Sequence, residues 1–181
     1  METIAAQNFF SRVWNAFINA FRYYAAYSGR SSRFDFWSFT ITNGLINILL
    51  SLLSSFYRPV GLIYFIYSLV SFSPSAAVGI RRYHDNDLNA WIFLAVNLAM
   101  VISIIAALNY HPIFFLAAAL LIIINLFIML RKGNPEANRF GLPETTPVRA
   151  FETPGTIVLI LYILLNLALF TAGFIRGYTG A

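Results

Sequence analysis

The chain has 181 residues, of which 59% are hydrophobic and only 10% charged; a soluble domain carries roughly a quarter charged residues, so the composition argues against a water-soluble globule and for a lipid environment. Twelve Lys and Arg against seven acids leave a net charge of +5, which in that setting implies basic loops beside anionic lipid and no nucleic-acid partner. The absence of cysteine excludes disulfides, thiolate nucleophiles and cysteine-type zinc sites.

The length suits one domain with four or five spans of about 20 residues. Residues 1–29 read as an amphipathic helix, because Phe10, Val13, Trp14, Phe17, Phe21 and Tyr24 recur at helical spacing while Asn8, Arg12, Asn15, Asn19 and Arg22 lie away from them. A Phe- and Trp-rich stripe opposite Arg suits a helix lying in the headgroup plane. Arg12 and Arg22 also interrupt any compact apolar core of a cleavable signal, so the first span is expected to act as its own insertion signal.

Span one is expected at residues 34–57, where Ser32 and Asp35 match a capping box. Span two runs from Pro59, a residue that fits a first helical turn, to Ile80, with Arg81 and Arg82 at the negative end of the helix dipole. Spans three and four, residues 90–108 and 112–130, are separated only by Asn109, Tyr110 and His111 and form a tight antiparallel hairpin. Residues 131–152 hold Pro135, Pro143 and Pro147 and read as an extended polar loop. Thr153 and Pro154 then open a fifth span, 154–175. The expected fold is thus all-α: a polytopic transmembrane helical bundle of five spans behind an N-terminal interfacial helix. It divides into residues 1–29, a four-span membrane unit at 30–143, and the loop and extra C-terminal span at 144–181.

An N-terminus in the cytoplasm places Arg12, Arg22, Arg30, Arg33, Arg81, Arg82, Arg131, Lys132, Arg139 and Arg149 inside, leaving Arg58 and Arg176 outside, as the positive-inside bias requires. The five spans carry no Asp, Glu, Lys or Arg in their interiors, which disfavours a proton relay or an ion-coupled carrier. Their polar residues are nonetheless ordered. Thr40, Asn43, Asn47, Ser51 and Ser54 make one face of span one; Tyr64, Ser68, Ser71, Ser75 and Gly79 make one face of span two. Ser71, Ser75 and Gly79 form a small-xxx-small series, so Asn43, Asn47 and these three are expected to pack helix on helix; a polar cavity is the other reading.

Three polar segments, residues 28–37, 81–87 and 132–141, carry nearly all side chains capable of chemistry. They read Tyr-x-x-Tyr-Ser-Gly-Arg-x-x-Arg-x-Asp-Phe-Trp from Tyr24 to Trp37, Arg-Arg-x-His-Asp from Arg81 to Asp85 ahead of Trp91, and Gly-Asn-Pro-x-x-Asn-Arg-Phe-Gly from Gly133 to Gly141. In that order, over residues 14–143, the chain resembles the domain-of-unknown-function 805 family of small bacterial inner-membrane proteins. The resemblance implies a membrane protein of the bacterial inner membrane and supplies no activity. Two departures stand out: members usually have four spans, and the turn after His84-Asp85, usually basic, here carries Asp87.

Each motif admits a structural reading beside a functional one. Arg30 and Arg33 serve as inside anchors or, with Arg81 and Arg82, cradle lipid phosphates. His84, Asp85 and Asp87 lack the three spaced ligands of a catalytic metal site, and no metal or cofactor is expected. An Arg-to-Asp network joining the loops is expected instead, with Gly133, Pro135 and Gly141 shaping a turn in which Asn134 and Asn138 bond backbone groups. Candidate lipid- or partner-binding residues are therefore Arg30, Arg33, Asp35, Arg81, Arg82, His84, Asp85, Asn134, Asn138 and Arg139. The function expected is a non-enzymatic scaffold or accessory subunit. It would bind anionic membrane lipids, a membrane-protein partner or further copies of itself. The alternatives are an uncoupled transporter or channel for a neutral solute, and a lipid-modifying enzyme using His84 and Asp85.

Overall fold

The computed structural model describes residues 8–143 together with Ile160; the expected fifth span at 154–175, its Thr153-Pro154 start and the 144–181 unit otherwise lie outside the described residues. The described chain forms α1 (Phe9–Arg22), α2 (Arg33–Phe56), α3 (Pro59–Asp85), α4 (Ala90–Asn109) and α5 (Phe114–Leu130). Three of these, α2, α3 and α4, are long and apolar enough to cross a bilayer, and α5 is a shorter apolar helix of 17 residues.

Local chemistry sets the helix ends. The Asp35 amide donates to the Ser32 hydroxyl at 3.1 Å, and that hydroxyl donates to the Asp35 carboxylate at 2.8 Å. The cap forms as expected, although the carboxylate returns to the serine side chain and not to its N–H. Asn89 caps α4 by accepting from the Ile92 amide at 3.0 Å. His111 Nδ1 accepts from the Ile113 amide at 3.1 Å, which holds Pro112 and Ile113 in the turn and delays α5 by two residues from its expected start. In contrast, α3 does not stop at Ile80. Its last turn, through Asp85, stays helical and buried because every polar side chain there meets a neighbouring segment.

The helices pair chiefly as two antiparallel hairpins, α2 on α3 and α4 on α5, with α1 laid against α2. Burial is concentrated at the end where α2 begins and α3 ends. There Phe17, Phe36, Phe39, Ile80, Tyr83, Phe93 and Met129 form one cluster. At the opposite end Leu52, Phe56, Leu62, Tyr110 and Leu116 are exposed, as suits side chains whose solvent is acyl chain.

The two polar span faces meet in part. Tyr67 donates its hydroxyl to Asn43 at 2.7 Å, and the Asn43 amide donates to Ser75 at 3.4 Å. Asn47 instead donates to the Asn43 carbonyl of its own helix. Ser71 accepts Ser75 through its backbone. Gly79 faces away from this seam: a methyl group there would lie 2.8 Å from the Phe93 ring, so this glycine is where α4 approaches α3. Asn125 links the hairpins further, accepting from the Tyr83 hydroxyl at 3.2 Å and donating to Asn97 at 3.4 Å.

The amphipathic helix is shorter than residues 1–29. It ends at Arg22, and the chain then turns inward to bury Ala26 and Tyr27 completely before Gly29, at φ 83°, redirects it toward α2. Its expected apolar stripe splits: Phe17 and Phe21 pack on Phe39 with ring centroids at 5.8 and 6.0 Å, while Phe10 and Trp14 stay exposed.

Candidate functional site: a buried arginine–aspartate knot

The three motif segments converge at the buried end. Asp85, in the last turn of α3, holds Arg30 with one carboxylate oxygen and Arg82 with the other. Arg30 approaches side-on, Nε at 2.9 Å and Nη2 at 2.7 Å from the same oxygen. The fork geometry of guanidinium makes that pairing directional. All three residues are removed from solvent: Arg82 is 0%, Arg30 3% and Asp85 7% exposed.

Two guanidiniums on one carboxylate leave a positive excess in a low-dielectric place, which is costly unless further acceptors share it. Backbone carbonyls do so. Arg30 Nη1 donates to Glu136 at 2.7 Å and Gly141 at 3.3 Å, and Nη2 donates to Asn134. Arg82 donates through Nε to Met129 at 3.1 Å and through Nη2 to Arg131. A helix end leaves four carbonyls without intrahelical partners, and those of α5 are all taken. Phe127 accepts from the Arg131 amide, Ile128 from Asn86, Met129 from Arg82 and Leu130 from Arg33.

The third motif is the lid over this pair. The Asn134 amide donates to the Asp85 carbonyl at 2.9 Å. Gly133 lies so close that any β-carbon would collide with the Asp85 carboxylate. Asn134 accepts from the Glu136 amide and Asn138 from the Phe140 amide, each two residues on, while Asn138 pairs with Gly141 through both backbone bonds. These are the self-bonded turns expected of Asn in such a segment. Asn138 also donates its side-chain amide to the His84 carbonyl at 2.8 Å.

His84 stacks flat on Phe140, with ring centroids 3.9 Å apart, and its Nδ1 lies 3.0 Å from the Gly29 carbonyl. A carbonyl only accepts, so Nδ1 carries the proton. His84 Nε2 and Arg81 Nε are buried without a partner among the described residues. Arg81 donates through Nη1 to the Ala26 carbonyl, and its own carbonyl accepts from the Ser31 amide at 3.1 Å. Tyr27 sits behind this turn, 3.2 Å from the Ser73 hydroxyl, which in turn donates to the Tyr24 carbonyl. Burial pushes the Tyr27 hydroxyl above its usual pKa, and the Ser73 bond offsets part of that rise.

The candidate residues thus fall into two groups. Arg30, Arg81, Arg82, His84 and Asp85 are buried, and Asn134 and Asn138 join them through the lid. Arg33, Asp35 and Arg139 lie at the exposed rim. Arg139 is paired with Asp87 at 3.2 Å and lies over the Phe140 ring, 4.8 Å from its centroid, so the acidic departure at position 87 has a local cation to neutralise. Asn86, Phe140 and the Tyr27–Ser73 pair escaped the sequence reading. Phe140 and Tyr27 lay inside the quoted motifs, but nothing in their spacing named His84 or Ser73 as the group each would meet. The described residues assemble no group of three His, Asp or Glu able to hold a metal ion.

Residues 24–142 match a family described as a protein family of unknown function, DUF805. The chain belongs to this family. The matched region holds all three motif segments and every member of the knot, and it leaves α1 outside. Among relatives, the inner membrane protein YhaI of Escherichia coli K12 is 30% identical over 80 residues, 43% of this chain and 68% of the relative. The inner membrane protein YhaH of the same strain is 28% identical over 130 residues, 69% of this chain and 92% of the relative. No solved structure matches. With its apolar helices and this membership, the chain is an integral membrane protein.

Proposed function

We propose that the protein is a non-enzymatic scaffold or accessory subunit of the bacterial inner membrane, with its N-terminus in the cytoplasm, that engages anionic lipid headgroups or a membrane-protein partner at its cytoplasmic face. One observation supports this above the others. Buried Arg30 and Arg82 spend their donors on Asp85 and on backbone carbonyls, while Arg33, Arg131, Lys132 and Arg139 stay exposed around them. Such an arrangement is a rigid face with a cationic rim, and anionic lipid is its natural complement. The inner-membrane names of the relatives support the location, and the charge bias of the loops supports the orientation.

Native mass spectrometry of the full chain, released gently from its own membrane, tests the reading. A stoichiometric partner, or anionic lipid retained by the wild type and lost by the Arg131→Gln/Lys132→Gln variant, is expected. A wild-type protein that emerges bare, as monomer or homo-oligomer, would overturn it and turn attention to solute flux. The rim residues are chosen because their side chains lie outside the knot, so the fold survives their loss.

A further inference from the structure

Helix α1 lies outside the family match, and its exposed surface is unlike that of a helix packed only on protein. At about 100° per residue, Ala16, Ala20 and Phe17 occupy one edge of its apolar arc, and Phe10, Trp14 and Ile18 the other. The first edge is buried on the bundle; Phe10, Trp14 and Ile18 are 75%, 55% and 40% exposed. The polar arc opposite carries Arg12 and Arg22.

Contacts with α2 fix the level of the helix. Phe9 meets the Phe34 ring edge-on at 6.1 Å and the Arg12 guanidinium lies 4.5 Å over the same ring, at the foot of α2. Phe17 and Phe21 reach Phe39. From Phe34 to Phe39 is about 7.5 Å of helix rise, the depth over which an interfacial helix buries its apolar face, about 5–10 Å. The exposed edge therefore sits at the boundary between headgroups and acyl chains, with cations beside it.

We propose that α1 is an interfacial anchor whose ligand is the anionic lipid leaflet on that side of the bilayer, with Phe10, Trp14 and Ile18 set among the upper acyl chains. It rests on the lipid-binding reading above and adds a place and a depth to it. The sequence has no cysteine, so Phe10→Cys, Trp14→Cys, Ile18→Cys and the polar-face control Asn19→Cys each give one label site in the full chain. Spin-labelled protein is reconstituted into vesicles of phosphatidylglycerol and phosphatidylethanolamine. Labels at 10, 14 and 18 are expected to collide with oxygen more than with a water-soluble nickel chelate, and the label at 19 the reverse. Removing the phosphatidylglycerol should raise nickel collisions at 14 by about twofold or more.

Nickel access at 10, 14 and 18 equal to that at 19 would place the face in water and overturn the anchor. Exclusion of both reagents from all three would mean a second copy covers the face, and would overturn it equally. If labelling disturbs insertion, quenching by brominated lipid of the unlabelled protein, compared with Trp14→Phe, reads the same depth. Rim-dependent lipid retention with α1 in water would refute the anchor alone. A membrane-embedded α1 in a protein retaining neither lipid nor partner would refute the scaffold reading alone.

Discussion

Replacing Asp85 by Ala removes the acceptor of three charge-assisted bonds, two from Arg30 and one from Arg82. Each such bond is worth about 1.5–3 kcal/mol net, but simple addition overstates the loss. Arg30 retains three carbonyl acceptors and Arg82 two. What is lost is the counter-charge, with two guanidiniums left buried, and one-sided removal of a buried ion pair costs about 3–5 kcal/mol. At about 2–4 °C per kcal/mol for a chain of this size, the melting temperature should fall by about 6–20 °C. Thermal melting of the full-length protein in mild detergent, followed by tryptophan fluorescence, reads that shift. A fall of less than about 2 °C would show that the knot contributes nothing to stability.

The lid supplies an internal control for the same reasoning. Gly133→Ala drives a methyl group into the Asp85 carboxylate, an overpacking that should cost about 1–3 kcal/mol. In the Asp85→Ala background those oxygens are gone, and the same change should cost little. Strongly coupled penalties place Gly133 on Asp85; purely additive ones would refute the contact.

Three further outcomes follow from single residues, all readable by the same melting assay. Gly79→Ala should destabilise by about 1–3 kcal/mol, because Phe93 is held against Tyr83 and has little room to yield, whereas Gly44→Ala, which meets nothing within 4 Å, should be neutral or gain up to about 1 kcal/mol of helix propensity; equal effects would contradict the α3–α4 approach. Ser32→Ala should cost about 0.5–2 kcal/mol through the lost cap of α2, and restoration by Ser32→Thr would separate capping from packing. Asn43→Leu removes the bonds to Tyr67 and Ser75 and should cost about 0.6–2 kcal/mol, while an unchanged midpoint would mean that lipid-facing partners replace them.

Much of the fold is legible in the sequence because a lipid solvent leaves few choices. Runs of about 20 apolar residues must be helices, and Ser32 and Pro59 mark starts that α2 and α3 keep, the first through its side-chain cap. The candidate residues were legible as a set, since Arg30, Arg82, Asp85 and Asn134 stood in motifs rich in donors and acceptors. The motifs point to an Arg-to-Asp network joining the loops, but not to which arginines meet which aspartate. Periodicity assigns a residue to a face without naming the element that the face will meet: Gly79 belongs by spacing with Ser71 and Ser75, yet serves α4. The extension of α3 past Ile80 escaped for a related reason, because Arg81 and Arg82 look like solvated loop cations until three carbonyls from other segments, those of Ala26, Met129 and Arg131, are brought to them. In α1, one apolar stripe was legible, but its division between protein and lipid depends on where Phe39 stands.

The knot also explains why polar chemistry gathers at one end of spans that otherwise lack charge. In a bilayer, lipid tails are as apolar as leucine, so burial of apolar surface gives a helical hairpin little reason to prefer protein over lipid. Directional contacts must decide. The α4–α5 hairpin meets the rest of the chain at the Gly79–Phe93 approach, through the Tyr83–Asn125 bond, and at the last carbonyls of α5. These carbonyls carry the negative end of the helix dipole, and Asn86, Arg82 and Arg33 reach them from the α3 end and α2. Asp85 then fixes Arg82 to Arg30, and the Gly133–Gly141 turn closes over both. Segments far apart in sequence are thereby joined by groups whose separation would leave cations and carbonyls unpaired, a penalty that neither lipid nor apolar repacking can relieve.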